Sequence, residues 1–297
     1  MLPVDAYHES MQALVRVALQ EDIREGDITS LAALEPNPAR GGIIAKSDGV
    51  LSGVEPVMLV FRTVDSANKV RFLLNDGDRF CPGQTVAEID GFNQTILASE
   101  RVALNFLGCL SGVATMTRAF VERISGTSCT ILDTRKTTPG WRLLEKAAVC
   151  HGGGKNHRLG LYDMILIKDN HIASAGSVAG AVRRAREFLD TAGFRLQFNS
   201  SAERVDLEVE VATEEQLKEA LGAGVKRIMI DNQAIESLAR LVKTARKLDP
   251  DAKLEASGNV TLETVAQIAA TGVDYISVGA ITHSAPAADF SLQFSEE

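Results

Sequence analysis

The densest run of ionisable side chains lies between Asp133 and His171. It holds Arg135, Lys136, Arg142, Lys146, Lys155, Arg158 and Lys168, with His151, His157 and His171, against Asp133, Glu145, Asp163 and Asp169. The whole chain carries a formal charge of -8, which argues against nonspecific nucleic-acid binding. A basic segment inside an acidic chain points instead to a local pocket for an anion. Guanidinium forks grip carboxylates or phosphates through two hydrogen bonds, and an ammonium adds a compact charge. A solvated basic face would give the same composition. Gly152-Gly153-Gly154-Lys155 resembles an anion-binding loop but lacks the G-x-x-x-x-G-K-[ST] pattern, so simple turns explain it equally well.

Two further groups follow. Glu210 and Asp231 close short apolar runs, and two carboxylates on one rim suit a magnesium ion that also holds phosphates. Glu208 shares the strand face of Glu210, and alternation alone leaves open which of them reaches the rim. A buried ion pair is the plainer alternative. Ser257-Gly258-Asn259 and Gly279-Ala280 follow the last two runs. There backbone N–H groups could hold a phosphate, because glycine lets an anion approach the backbone closely. Ordinary strand-to-helix turns are again the alternative.

These residues need a frame. Six short apolar runs, Cys129–Asp133, Met164–Lys168, Asp206–Val211, Arg227–Asp231, Lys253–Ser257 and Tyr275–Gly279, predict strands. Helical patterns at Ser177–Leu189, Glu214–Leu221, Ile235–Leu248 and Leu262–Ala270 lie between them, which predicts parallel β/α units. Polar residues gather at the C-terminal ends of these runs, where a barrel places its site. Upstream, Met11, Leu14, Val15 and Leu19 fit a helix, and Asp27 and Thr29 mark a turn or helix start. Gly42–Ala45, Lys69–Leu74 and Thr85–Ile89 fit strands. A long helix is expected over about Leu97–Ile124, with Ala103, Gly108, Ser111, Gly112 and Ala114 permitting close packing.

Composition sets the class. With 297 residues, 45% hydrophobic and 24% charged, the chain reads as globular. Cys81, Cys109, Cys129 and Cys150 form no C-x-x-C pair, so they read as reduced, mostly buried thiols of a cytoplasmic protein. No membrane span and no signal peptide are expected, the N-terminal stretch being amphipathic and acidic. Asn199-Ser200-Ser201 fits a glycosylation triplet but has no weight without secretion.

The motifs together resemble the quinolinate phosphoribosyltransferase family, also called carboxylating nicotinate-nucleotide pyrophosphorylases. The resemblance rests on Glu100–Asn105 with Leu110-Ser111-Gly112, Asp133–Gly140 (DTRKTTPG), Gly152–Gly154 with Asn156–Leu161 (NHRLGL), and Ile167–His171. Glu208-Val209-Glu210, Asp231-Asn232, Glu255–Asn259, Ser277–Ala280 and Thr282-His283 complete it. It covers nearly the whole chain, and the DTRKTTPG and NHRLGL blocks are its most specific parts.

The resemblance implies an N-terminal α/β sandwich over residues 1–116, joined by a C-terminal tail at 284–297. An open, incomplete, seven-stranded α/β barrel of TIM type would occupy 117–283. It implies a homodimer in which Arg101 crosses to the partner's barrel mouth, with any larger assembly left open. Thr134, Arg135, Lys136, His157, Arg158 and Lys168 would surround quinolinate with that Arg101. Glu210 and Asp231 would hold the ribose hydroxyls and Mg2+. Ser257, Gly258, Asn259, Gly279, Ala280 and His283 would cradle the 5′-phosphate of phosphoribosyl pyrophosphate. The polar stretch Phe194–Arg204 is longer than the family leads one to expect before the Glu210 strand. Three alternatives stay open at this level: a related transferase with another acceptor such as nicotinate, a Schiff-base aldolase using Lys168, and a phosphate-binding barrel without chemistry.

Overall fold

A computed structural model of the chain describes residues 2–191, 194 and 205–295. In chain order the elements are α1 (Val4–Asp22), α2 (Ile28–Ala33), β1 (Pro38–Ala45), β2 (Gly49–Val50), α3 (Val54–Val64), β3 (Lys69–Phe72), β4 (Arg79–Phe80), β5 (Thr85–Phe92) and α4 (Asn93–Arg123). There follow β6 (Thr130–Leu132), α5 (Arg142–His151), β7 (Met164–Ile167), α6 (Asp169–Ala175), α7 (Val178–Leu189), β8 (Asp206–Val211) and α8 (Glu214–Gly222). The last are β9 (Arg227–Asp231), α9 (Ile235–Leu248), β10 (Lys253–Ser257), α10 (Val265–Ala270), β11 (Tyr275–Ser277), α11 (Ala280–His283) and β12 (Phe290–Phe294). The chain divides into two compact units. One comprises Met1–Ala119, Lys136–Gly154 and Gly279–Glu297; the other comprises Phe120–Arg135 and Lys155–Val278.

The first unit contains an antiparallel sheet of order β12-β1-β5-β3. Asp27 caps α2 by accepting the N–H groups of Thr29 and Ser30, as an N-cap aspartate does. The small-residue stripe on α4 has a direct use. A Cβ at Gly112 would sit 2.1 Å from the Pro286 carbonyl oxygen, and one at Gly108 would sit 2.8 Å from that of Ala288. The segment leading to β12 therefore lies on the helix backbone itself, and the Ala288 N–H donates to the Gly108 carbonyl at 2.9 Å.

The second unit is built on six parallel strands in the order β6-β11-β10-β9-β8-β7. Pairing of the first strand, β6, with the last, β11, bends the sheet back on itself, which makes it a barrel rather than an open doubly wound sheet. The resemblance implied seven strands; among the described residues the parallel sheet has six, with an isolated bridge on the other edge of β6. Lys155 bridges Leu132 in parallel, accepting the Asp133 N–H at 3.1 Å and donating to the Ile131 carbonyl at 2.9 Å. Among the described residues no ladder joins Lys155 to β7, so the barrel opens there. Ile228, Leu254, Ala256 and Ile276 are buried on the strands, and Leu238, Leu241, Val242 and Ala245 form the buried stripe of α9. Ser177 and Thr213 cap α7 and α8 with their side-chain oxygens.

All six expected barrel strands and all four helices between them are present, each within a few residues of its sequence pattern. One expectation needs correction. Cys81, Cys109 and Cys150 are exposed, and only Cys129 is partly covered. By length and composition α4 could cross a membrane, although 67% of its apolar window is buried inside the protein, as in a core helix. The Gly152–Gly154 run ends α5: Gly153 has φ +91°, and the Gly154 N–H closes on the Val149 carbonyl. Gly152 is a packing residue, since a Cβ would meet the Ala114 carbonyl at 2.5 Å. Of the polar stretch Phe194–Arg204, only Phe194 lies among the described residues, where it is buried against Phe188; Asn199 falls outside them.

Candidate active site

In the second unit the strand ends carry the expected polar groups. Lys168 follows β7 and pairs with Glu210, one residue short of the end of β8. Asp231 and Ser257 are the last residues of β9 and β10 and stand opposite each other in register. The Ser257 hydroxyl donates to the Asp231 carboxylate. Beyond them the backbone turns sharply. Asn232, Gly258 and Asn259 all have positive φ, and the Asn259 side-chain amide donates to Asn232 Oδ1 at 3.0 Å. Such a concentration of left-handed backbone costs energy and persists only where its surroundings enforce it.

Glycine is required at position 258. Its φ is +94°, and a Cβ would lie 2.9 Å from Asn232 Cα and 3.0 Å from Asn232 N. Gly258→Ala is therefore expected to cost about 1–3 kcal/mol, read as a drop in thermal unfolding midpoint. An unchanged midpoint would mean that the Asn232 turn gives way freely.

Arg158 extends its guanidinium to the Met164 carbonyl at 3.3 Å. Burial, and then the charge of nearby Arg135, hold it below its ordinary pKa, with Asp163 and Glu208 acting the other way. The charge of Arg135 is thus felt at the partly desolvated Arg158 guanidinium, and two such cations favour an anion. Arg135 is exposed and Thr134 half-buried.

Beneath the mouth lies a buried ion cluster. Glu208 sits two residues before Glu210, Glu255 two before Ser257, and Arg227 four before Asp231, so by alternation all three share the inward face of their strands. Glu208 and Glu255 are 0% exposed. Arg227 Nη2 reaches Glu255 Oε2 at 2.9 Å, and its Nε lies 3.3 Å from Glu208 Oε1. The guanidinium also lies 4.9 Å from the centre of the Tyr275 ring. Burial alone would lower the Arg227 pKa; the two carboxylates outweigh it and hold the group above its usual value. Burial raises both carboxyls, Glu255 to about 7, where the Glu208 charge adds to the effect.

His157 completes the cluster. Its Nε2 lies 3.0 Å from Glu208 Oε2 and 3.5 Å from Glu255 Oε1. One donor atom from each of the three residues could meet at a metal, all lying within 4.8 Å of one another. Arg227 already supplies the countercharge to both carboxylates, so an organic cation fills that role. The alternation argument left Glu208 and Glu210 undecided; Glu208 is the buried partner of Arg227, and Glu210 is the one near the mouth.

In the first unit, Gly279, Lys136 and His283 come together. A Cβ on Gly279 would approach the Lys136 side chain at 3.0 Å and the His283 ring at 3.2 Å. Gly279 precedes α11, whose first residue is Ala280, and Thr282 Oγ1 donates to the Lys136 carbonyl at 2.8 Å. Arg101 is exposed on α4, with its guanidinium 3.8 Å from the Glu100 carboxylate.

Comparison with known proteins decides the family. Residues 27–111 match the quinolinate phosphoribosyl transferase N-terminal domain, and residues 113–293 match its C-terminal domain. The chain belongs to the quinolinate phosphoribosyltransferase family. It is 41% identical over 286 residues to a probable carboxylating nicotinate-nucleotide pyrophosphorylase of Bacillus subtilis, covering 96% of this chain and 93% of that protein. A chloroplastic carboxylating nicotinate-nucleotide pyrophosphorylase of Arabidopsis thaliana is 38% identical, over 97% of this chain and 83% of that one. The solved nicotinate-nucleotide pyrophosphorylase of Francisella tularensis superposes with a TM-score of 0.89 at 39% identity, covering 99% and 98% of the two chains. The ion cluster of this family member was not foreseen as a unit. Its one legible signal was the recurrence of Glu208, Arg227 and Glu255 at inward positions of three consecutive strands.

Proposed function

We propose that the protein transfers phosphoribose from phosphoribosyl pyrophosphate to the ring nitrogen of quinolinate, with decarboxylation. The products are nicotinate mononucleotide, pyrophosphate and carbon dioxide, a step of de novo NAD biosynthesis. Family membership over nearly the full chain carries this reading. The neighbouring guanidiniums of Arg135 and Arg158 support the choice of a dicarboxylate. In the transfer, the ring nitrogen forms a bond to C1 of the ribose as the bond from C1 to pyrophosphate breaks. C1 passes through oxocarbenium-like character. The ring nitrogen is then cationic, and the electrons of the departing C2 carboxylate are accepted by the ring, so no protein nucleophile is needed. Positioning accounts for much of the rate.

In this reading Thr134, Arg135, Lys136, Arg158 and Lys168 bind quinolinate, together with Arg101 of the partner subunit in a homodimer. Ser257, Gly258, Asn259, Gly279, Ala280 and His283 take the 5′-phosphate. Glu210 and Asp231 take the ribose hydroxyls and stabilise positive charge at C1. Their half-buried carboxylates are hard oxygen donors that suit Mg2+, which when bound would offset charge on the pyrophosphate. Lys168 pairs with Glu210. The cytoplasm is the proposed location.

The test is turnover of quinolinate with phosphoribosyl pyrophosphate and magnesium, with nicotinate as the acceptor control. Nicotinate mononucleotide and carbon dioxide from quinolinate alone are expected. Turnover of nicotinate instead would overturn the acceptor. Arg135→Ala or Arg158→Ala should weaken quinolinate binding by at least about 2 kcal/mol, roughly 30-fold, because a desolvated carboxylate loses its partner. Calorimetric titration with quinolinate measures this, and unchanged affinity in either variant would remove that residue from the pocket.

A further inference from the structure

His157 is placed where it cannot behave as an ordinary histidine. Its Nδ1 lies 2.7 Å from the backbone N–H of Arg158, which can only donate. Nδ1 must therefore be the acceptor and carry no proton. Nε2 faces the carboxylates of Glu208 and Glu255, which favour a donor, so the proton resides there. A second proton, at Nδ1, would break the bond to Arg158.

We propose that Glu208, Glu255 and Arg227 form a buried positioning layer that locks His157 as the Nε2-protonated tautomer, and that His157 serves quinolinate binding by fixing the Arg158 backbone rather than by touching the substrate. The inference deepens the phosphoribosyl-transfer reading and rests on it for the identity of the anion at Arg158.

The surrounding bonds support a positioning role. Asp133 accepts the His157 N–H at 2.8 Å and the Asn156 side-chain amide at 2.6 Å. Asp163 accepts the N–H groups of Leu159 and Gly160 at 2.7 and 2.9 Å. Between these two anchors the Arg158 N–H is held by the His157 ring. The hold matters because the charge of Arg135 disfavours the charged form of Arg158. His157 is buried with only 5% of its side chain exposed, and it faces Glu208 on β8 and Glu255 on β10, with Arg227 on β9 bridging the two acids. The layer thus acts on the ring from three strands, and the ring acts on one backbone amide.

The experiment uses the whole protein with 15N-labelled histidine, the His157 signals being assigned by loss in His157→Gln. The expected spectrum has a bare Nδ1 and a protonated Nε2, with no conversion to imidazolium between pH 6 and 8, although the signals shift as the adjacent Glu255 ionises near pH 7. A protonated Nδ1, or titration to imidazolium in that range, would overturn the proposal whether or not quinolinate is turned over. Glu208→Leu removes the partner of Nε2, and Glu208→Gln keeps an acceptor there. The first should raise KM for quinolinate at least tenfold with little change in KM for phosphoribosyl pyrophosphate, and the second should restore most of the loss. Should Glu208→Leu fail to fold, Glu255→Gln followed by the same spectrum reads the lock directly. Equal loss for both substrates, or no rescue by Gln, would reduce the cluster to a purely structural role and sink the proposal. Absence of quinolinate turnover in the parent protein, with the tautomer as expected, would instead count against the reaction assigned above.

Discussion

Arg227→Ala is expected to destabilise the barrel unit by about 3–5 kcal/mol, the scale for stranding buried charges. Glu208 and Glu255 have no solvent contact, and Arg227 supplies the guanidinium between them. Removing it leaves the two acidic side chains facing each other beside the His157 ring. They must then share a proton or pull in water. The loss should be read as faster amide hydrogen exchange in β8, β9 and β10, because a chain of two compact units need not unfold in one step. The combined replacement Glu208→Leu, Arg227→Met and Glu255→Leu removes the charges together and should recover much of the stability, as apolar packing often equals a buried ion cluster. A loss below about 1 kcal/mol for Arg227→Ala alone would show that water reaches the barrel interior.

The second large effect depends on pH. The Glu255 carboxyl is pushed up to about 7 from its ordinary 4.5, burial being the main cause. Below the ordinary value the carboxyl is protonated in both the folded and the unfolded chain and contributes nothing. Between the two values the unfolded chain has lost its proton while the folded protein keeps it, so stability falls as pH rises. Above pH 7 the penalty is complete, on the order of 3 kcal/mol from the size of the shift. Glu255→Gln cannot ionise and should escape this decline. Relative to the parent protein, the variant should be more stable at pH 8 than at pH 5 by about 3 kcal/mol. Denaturant unfolding at the two pH values measures the difference. A constant offset at both would mean that Glu255 ionises normally in the fold.

The barrel strands were legible because each is a short apolar run bounded by turn residues, as at Arg227–Asp231 and Lys253–Ser257. Their capped helices follow the same logic, Ser177 and Thr213 sitting where an N-cap belongs. A seventh strand was implied by the resemblance alone; among the described residues that edge of β6 carries one isolated bridge, at Lys155 in a polar sequence. Strand β12 was missed because its pairing partner, β1, lies near the other end of the sequence, and local pattern cannot report that. At the candidate site, the family motifs marked the mouth residues, whereas the glycine run at 152–154 turned out to close a helix. Burial separated Glu208 from Glu210, a distinction that strand alternation cannot make because both point to one face. The placement of His157 was the least legible. Its type suggested contact with an anion, but its ring lies against the carboxyl groups of two distant segments.

The pairing of Gly41–Ala45 with Phe290–Phe294 has a consequence for biosynthesis. As the ribosome extends the chain at about 5–20 residues per second, β1 emerges roughly 10–50 seconds before the strand that will cover it. During that interval β5 can protect one side of β1, while the other presents bare N–H and C=O groups to any passing strand. The nascent protein is then open to mispairing with a neighbour on the same polysome. A chaperone that shields this edge, or a slower rate of initiation, should raise the yield of folded protein.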